Sequence, residues 1–151
     1  MIKFKLIDNR TRVSKKIKEL QERLEQFPKE FMRITADIII ENSPVDTGTY
    51  MDAHQIGTKE SITTSHGKPH NQPHSNFADA ARDRLYSQIN GLSVDGSNWY
   101  ITNNSAHNIR VEYTGWFDKD GNKTQSEYAP YTIARGYAPV ALEEAKARVG
   151  L

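Results

Sequence analysis

Residues 13–50, VSKKIKELQERLEQFPKEFMRITADIIIENSPVDTGTY, decide how the rest of the chain must be arranged. Val13, Ile17, Leu20, Leu24, Phe27, Phe31, Ile34 and Ile38 recur in steps of four and three, which puts all eight on one stripe of an α-helix. Lys, Arg, Glu and Gln fill the other faces, and Glu19 precedes Arg23 by four residues in the supportive orientation. Pro28 lies inside the pattern, where it lacks an N–H and crowds the carbonyl of Leu24, so a kink or break is expected near Gln26 and Phe27. The stripe continues beyond it. One kinked helix over residues 11–42 is therefore preferred, with two helices meeting at Pro28 as the alternative. The spacing also matches a coiled-coil seam, but the proline and the aromatic seam residues favour packing on a sheet or on neighbouring subunits.

Asn42 is a tolerable left-handed terminator, and Ser43-Pro44 forbids further helix. Asp46 or Thr47 can accept N–H bonds from the backbone of the next turn, and Gly48 gives a tight reversal its conformational freedom. Ser43, Pro44, Val45, Asp46, Thr47 and Gly48 are thus read as a structural joint between the long helix and the body. Tyr50, Met51 and Ala53 follow as a single turn, before a strand near residues 55–58.

Upstream of the helix, Ile2, Phe4 and Leu6 alternate with Lys3 and Lys5, the period of a short strand or arm over residues 1–10. Downstream, residues 59–76, KESITTSHGKPHNQPHSN, hold one strongly apolar residue, Ile62, and read as an exposed polar loop. Phe77, Ala81, Leu85 and Ile89 recur every four residues and predict a helix over 77–90, capped by Asn76 and stopped by Gly91. Residues 99–133 are rich in β-formers: Trp99 to Thr102 and the alternating Ile109, Val111 and Tyr113 read as a hairpin about a turn at 103–105. A second turn is expected at Asp118 to Asn122, with a further strand from Tyr128 to Ile133. Pro139, suited to a first helical turn, opens a closing helix over 139–149. The expected fold class is α+β, in a single domain: a long kinked N-terminal helix packed on an antiparallel β-sheet, with a shorter middle helix and a C-terminal helix.

Bulk properties narrow the function classes. An apolar fraction of 36% and a mean hydropathy of -0.73 are polar for a compact monomer, which suits a chain that buries surface against copies of itself. Without cysteine there is no disulfide framework and no thiolate metal site. No apolar run reaches the roughly 18 residues of a membrane span, and MIKFKLIDNR lacks a signal-peptide core, so a soluble protein made in a cytoplasm, with no membrane partner, is expected. The net charge of +1 hides an asymmetry: residues 1–33 hold ten Lys+Arg against five Asp+Glu, the remainder ten against fourteen. Lys15, Lys16 and Lys18 are the basic residues singled out to face a partner or DNA, with a solvated charged face as the plainer reading.

Three constellations bear on chemistry. Asp118-Lys119-Asp120-Gly121-Asn122 resembles the opening of a calcium loop, but Lys123 stands where that loop needs Gly and Ala129 where it needs a bidentate Glu, which favours a hairpin turn. His66, His70 and His74 are four apart, yet Pro69 and Pro73 bar the helix that would stack them on a metal. No nucleophile elbow or Gly-rich phosphate loop is present. No catalytic, metal or cofactor residue is assigned, and the chain is expected not to be an enzyme.

The long helix running into Asn42-Ser43-Pro44-Val45-Asp46-Thr47-Gly48, followed by Ile101-Thr102-Asn103-Asn104-Ser105, Val111-Glu112-Tyr113-Thr114-Gly115-Trp116 and Tyr128-Ala129-Pro130 in that order, resembles the tail-completion and neck (head–tail joining) proteins of tailed bacteriophages. The resemblance covers most of the chain. It departs after Gly48, where the family commonly carries a basic run and this chain has Thr49-Tyr50-Met51-Asp52, and in the loop at 59–76, which looks like an insertion. What the resemblance implies is a structural virion protein without catalysis or cofactor, made in the host cytoplasm. It would form a homo-oligomeric ring, expected to be a hexamer, at the neck or tail end, with connector and tail proteins as neighbours and passive contact with packaged DNA. The alternative reading is a small nucleic-acid-binding protein using the basic N-terminal helix.

Overall fold

A computed structural model of the chain describes residues 9–45, 48–59 and 75–151. The expected strand at 1–8, the loop at 60–74 with its three histidines, and Asp46 and Thr47 lie outside the described residues.

The four-three stripe forms helix α1, Arg10–Glu41, which runs unbroken through Pro28, so the two-helix alternative is set aside. At 32 residues it is about 48 Å long. Its two halves have different fates. The C-terminal half is buried on two sides: Met32, Ala36 and Ile40, one turn apart, join Met51, Ile56, Phe77, Ala81, Leu85 and Ile89 in the main core. Ile34, flanked by Phe27, Phe31 and Ile38, packs instead on Ala141 and Ala145. A segment apolar on so much of its circumference belongs in an interior.

After α1 the chain makes a helical turn α2 (Thr49–Asp52), strand β1 (His54–Gly57), helix α3 (Ser75–Asn90) and strand β2 (Tyr100–Asn103). A one-turn π-helix (Arg110–Thr114) precedes strands β3 (Trp116–Phe117) and β4 (Lys123–Gln125), and helix α4 (Pro130–Val149) follows. The fold is thus mixed helix and strand, with the long N-terminal helix, antiparallel sheets and a C-terminal helix.

Three local expectations are corrected. β2 pairs antiparallel with β1, Ile56 opposite Ile101, and not with residues 109–113. Those residues form the π-helix, closed by the Gly115 N–H on the Arg110 carbonyl, so the alternation of Ile109, Val111 and Tyr113 is not a strand's. Residues 128–133 add no strand either, because α4 begins at Pro130 and carries Pro139 in its interior. The proline that starts this helix is the earlier one, and the small residues Ala134, Ala141 and Ala145 that α4 buries let it lie close along α1. Within the expected 99–133 strand region, the second turn is present: β3 and β4 pair antiparallel around Asp118 to Asn122.

Candidate functional site

One joint residue of the sequence, Ser43, enters a buried polar knot. Ser43 donates its hydroxyl hydrogen to the Ile39 carbonyl at 2.6 Å, so toward His54 Nε2, 3.0 Å away, its oxygen acts as acceptor. His54 therefore carries its proton on Nε2 and accepts at Nδ1, from the Tyr131 hydroxyl at 2.8 Å and Asn103 Nδ2 at 3.1 Å. Asn103 Nδ2 also donates to the Tyr50 carbonyl, and its Oδ1 accepts from the Ser105 N–H, which fixes the amide's orientation. Tyr50 stands edge-on to the imidazole, ring centres 5.0 Å apart.

The electrostatics keep this knot uncharged. Burial, helped by the nearby Arg84 guanidinium, holds the His54 pKa down at about 3. Burial likewise pushes the Tyr50 and Tyr131 hydroxyls up, with Glu112 adding to both. Arg84 clamps the underside: it reaches the Asp52 carboxylate at 3.1 Å and the Met51 carbonyl at 3.0 Å, tying α2 to α3.

Glu112 links the π-helix to α4. Its carboxylate accepts from the Tyr131 N–H (3.1 Å), the Thr132 N–H (2.7 Å) and the Thr132 hydroxyl (2.7 Å). Ala129, at φ 53, offers no side-chain cap to α4, so a residue 20 positions before Thr132 supplies it. The Val111 carbonyl accepts from both the Tyr128 and Ala129 N–H groups and closes the same corner.

Of the assigned joint residues, Ser43 is buried in the knot and Val45 packs against the main core. Pro44, Gly48 and Tyr50 line a cleft of about 240 Å³ with Val111 and Trp116. Gly48 holds φ 74, and a Cβ placed there would sit 2.7 to 2.8 Å from three ring atoms of Phe77. His54 and Tyr131 are not singled out by sequence, and Asn103 and Glu112 enter there only within the stretches quoted for the resemblance. The signal for His54 is its inward phase with Ile56 on β1, whereas nothing local marks Glu112 as a distant helix cap.

Lys15, Lys16 and Lys18 are exposed, with Lys15 3.9 Å from Glu19. They ride on the N-terminal half of α1, the second feature of interest. Arg23 Nη1 donates to the Gly150 carbonyl at 2.9 Å, which marks where α4 stops covering α1. From Leu24 to the N-terminal end the apolar stripe is bare: Val13, Ile17, Leu20 and Leu24 are 53%, 53%, 49% and 51% exposed.

The Asp118 carboxylate accepts from the Asp120 and Asn122 N–H groups and from Asn122 Nδ2, so its lone pairs serve the turn itself. Among the described residues no cluster of three His, Asp or Glu is placed to hold a metal, and no helix is long and apolar enough to cross a membrane. Comparison with known proteins brings no relative: no family model matches the chain, and neither a curated protein nor a solved structure matches it significantly.

Proposed function

We propose that this chain is a structural subunit of a tailed phage or prophage particle, assembling as a homo-oligomeric ring, a hexamer in this reading, at the head–tail junction or tail end. The observation that carries the proposal is convergence: stretches quoted for the resemblance, far apart in sequence, meet at one buried knot through Ser43, Asn103, Glu112 and the start of α4. Such a knot holds the long helix at a set angle to the body, a task suited to a building block. We read the chain as non-catalytic, and the roles of Ser43 and His54 support this: the hydroxyl hydrogen is committed to Ile39, and the imidazole is buried.

Purified particles test the reading, by mass spectrometry and by reconstruction of the neck and tail end. A ring of this chain is the expected result; its absence from intact particles of the phage that encodes it would refute the proposal. A second reading, nucleic-acid binding, is favoured by the exposed Lys15, Lys16 and Lys18 near an α1 N-terminus that has no acidic residue in its first turn. It requires DNA affinity that falls steeply with salt, and Lys15, Lys16 and Lys18 changed together to Gln should reduce the salt slope by about three.

A further inference from the structure

The bare half of α1 is weakly supported at its N-terminal end. Its N-cap residue Asn9 makes no side-chain capping bond, its first turn holds no acid, and Arg10 and Arg12 stand at the positive end of the helix dipole. Residues 10–26 nevertheless present four large aliphatic side chains in register with the stripe that α4 covers farther along. Together they form one contiguous apolar stripe on the exposed helix.

The body carries a matching concavity. An apolar groove of about 350 Å³ lies between α1 and the loop before β2, lined by Phe31, Met32, Val94 and Trp99. It continues past Phe31, Met32 and Trp99 toward Ile101 and Ala138 as a second hollow of about 240 Å³. Arm and groove cannot meet within one chain, because both belong to the same unbroken helix, and folding back would require breaking it. They can meet between chains.

From this complementarity we infer that the α1 arm docks into the Phe31–Trp99 groove of a second copy of this chain. Charge favours a second copy as occupant: residues 10–26 hold six Lys+Arg against three Glu, the remaining body at residues 27–151 holds twelve against fifteen Asp+Glu, and the exposed Asp95 lines the groove. The contact is head-to-tail, with different surfaces on the two partners, and such contacts repeat until a ring closes. The inference rests on the ring reading for its choice of closure over an open filament. Its anchors are Ile17 and Leu20, entering in the manner of a helix in a groove.

The test uses the full chain and light scattering after size exclusion over a range of concentrations. The wild type should show a mass several times that of the monomer. The double variant Ile17→Lys/Leu20→Lys and the single variant Val94→Lys should each weaken self-association at least about tenfold. Both alter side chains about half exposed, so circular dichroism and the melting of the monomer should stay unchanged. Mixing the two variants should give a heterodimer and nothing larger, since one intact arm and one intact groove remain. Self-association that persists in Val94→Lys alone would reveal an arm-to-arm contact and overturn the inference. A monomeric wild type, its stripe covered by residues 1–8 or meant for another protein, would overturn it as well. A ring seen in particles but insensitive to these variants would overturn it while leaving the ring reading standing.

Discussion

Gly48→Ala should destabilise the protein by about 2–4 kcal/mol, through two effects that can be separated. At φ 74 a residue with a side chain pays about 1–2 kcal/mol for left-handed backbone, partly offset by the stiffer unfolded chain. The new methyl would also press on the Phe77 ring, 7% exposed and held in the main core, and overpacking of this kind costs about 1–3 kcal/mol. Gly96 is the internal control: it has φ 87, and a methyl added there would meet nothing within 4 Å, so Gly96→Ala carries the backbone cost alone. Urea unfolding followed by Trp99 and Trp116 fluorescence measures both. The difference between the two variants should be about 1–3 kcal/mol, and a drop of roughly 2–4 °C in Tm should accompany each kcal/mol. Adding Phe77→Leu to Gly48→Ala should show a favourable coupling of at least about 0.5 kcal/mol. If Gly48→Ala and Gly96→Ala lie within about 0.5 kcal/mol of each other, the close approach to Phe77 does not constrain the joint and the reasoning fails.

Glu112→Ala should cost about 2–4 kcal/mol in urea midpoint analysis, because it strips the acceptors from two N–H groups at the start of α4, and Glu112→Gln, keeping one acceptor oxygen, should restore part of the loss. His54 is neutral when folded and has a pKa of about 3 there, against 6.5 unfolded, so the unfolded chain binds the extra proton. Its contribution is constant above pH 6.5 and is lost as pH falls, at up to about 1.4 kcal/mol per pH unit between there and about pH 3; stability measured against pH should lose this slope in His54→Gln. Leu85→Ala, at a fully buried site, should lower stability by about 2–5 kcal/mol, while Leu20→Ala should change the unfolding of dilute monomer by less than about 0.5 kcal/mol.

The parts of the fold legible in sequence are those whose periodicity comes from a single element. The stripe from Val13 to Ile38 and the recurrence Phe77, Ala81, Leu85, Ile89 mark α1 and α3 because each repeats within a few turns. The misread parts are settled by partners far away. Tyr128 to Ile133 has a strand's composition, yet the Val111 carbonyl and the Glu112 carboxylate hold its backbone in the opening of a helix. Ile109, Val111 and Tyr113 alternate like a strand, but the segment's two buried residues, Val111 and Glu112, are adjacent, as a π-turn allows. Ser43 and Gly48 are legible as a joint from local geometry. The partners of that joint are not, since the hydrogen bond from Tyr131 to His54 spans 77 positions.

The Arg23 bond to the Gly150 carbonyl joins residues 127 positions apart, and it has a consequence for synthesis. While the chain is being made, α1 emerges long before α4, so the apolar side chains Phe27, Ile34 and Ile38 that α4 will cover stay uncovered for roughly 5–20 s at ordinary elongation rates. During that interval the apolar stripe of α1 is open along its whole length. Completion of α4 divides the helix into a sealed half and an open one.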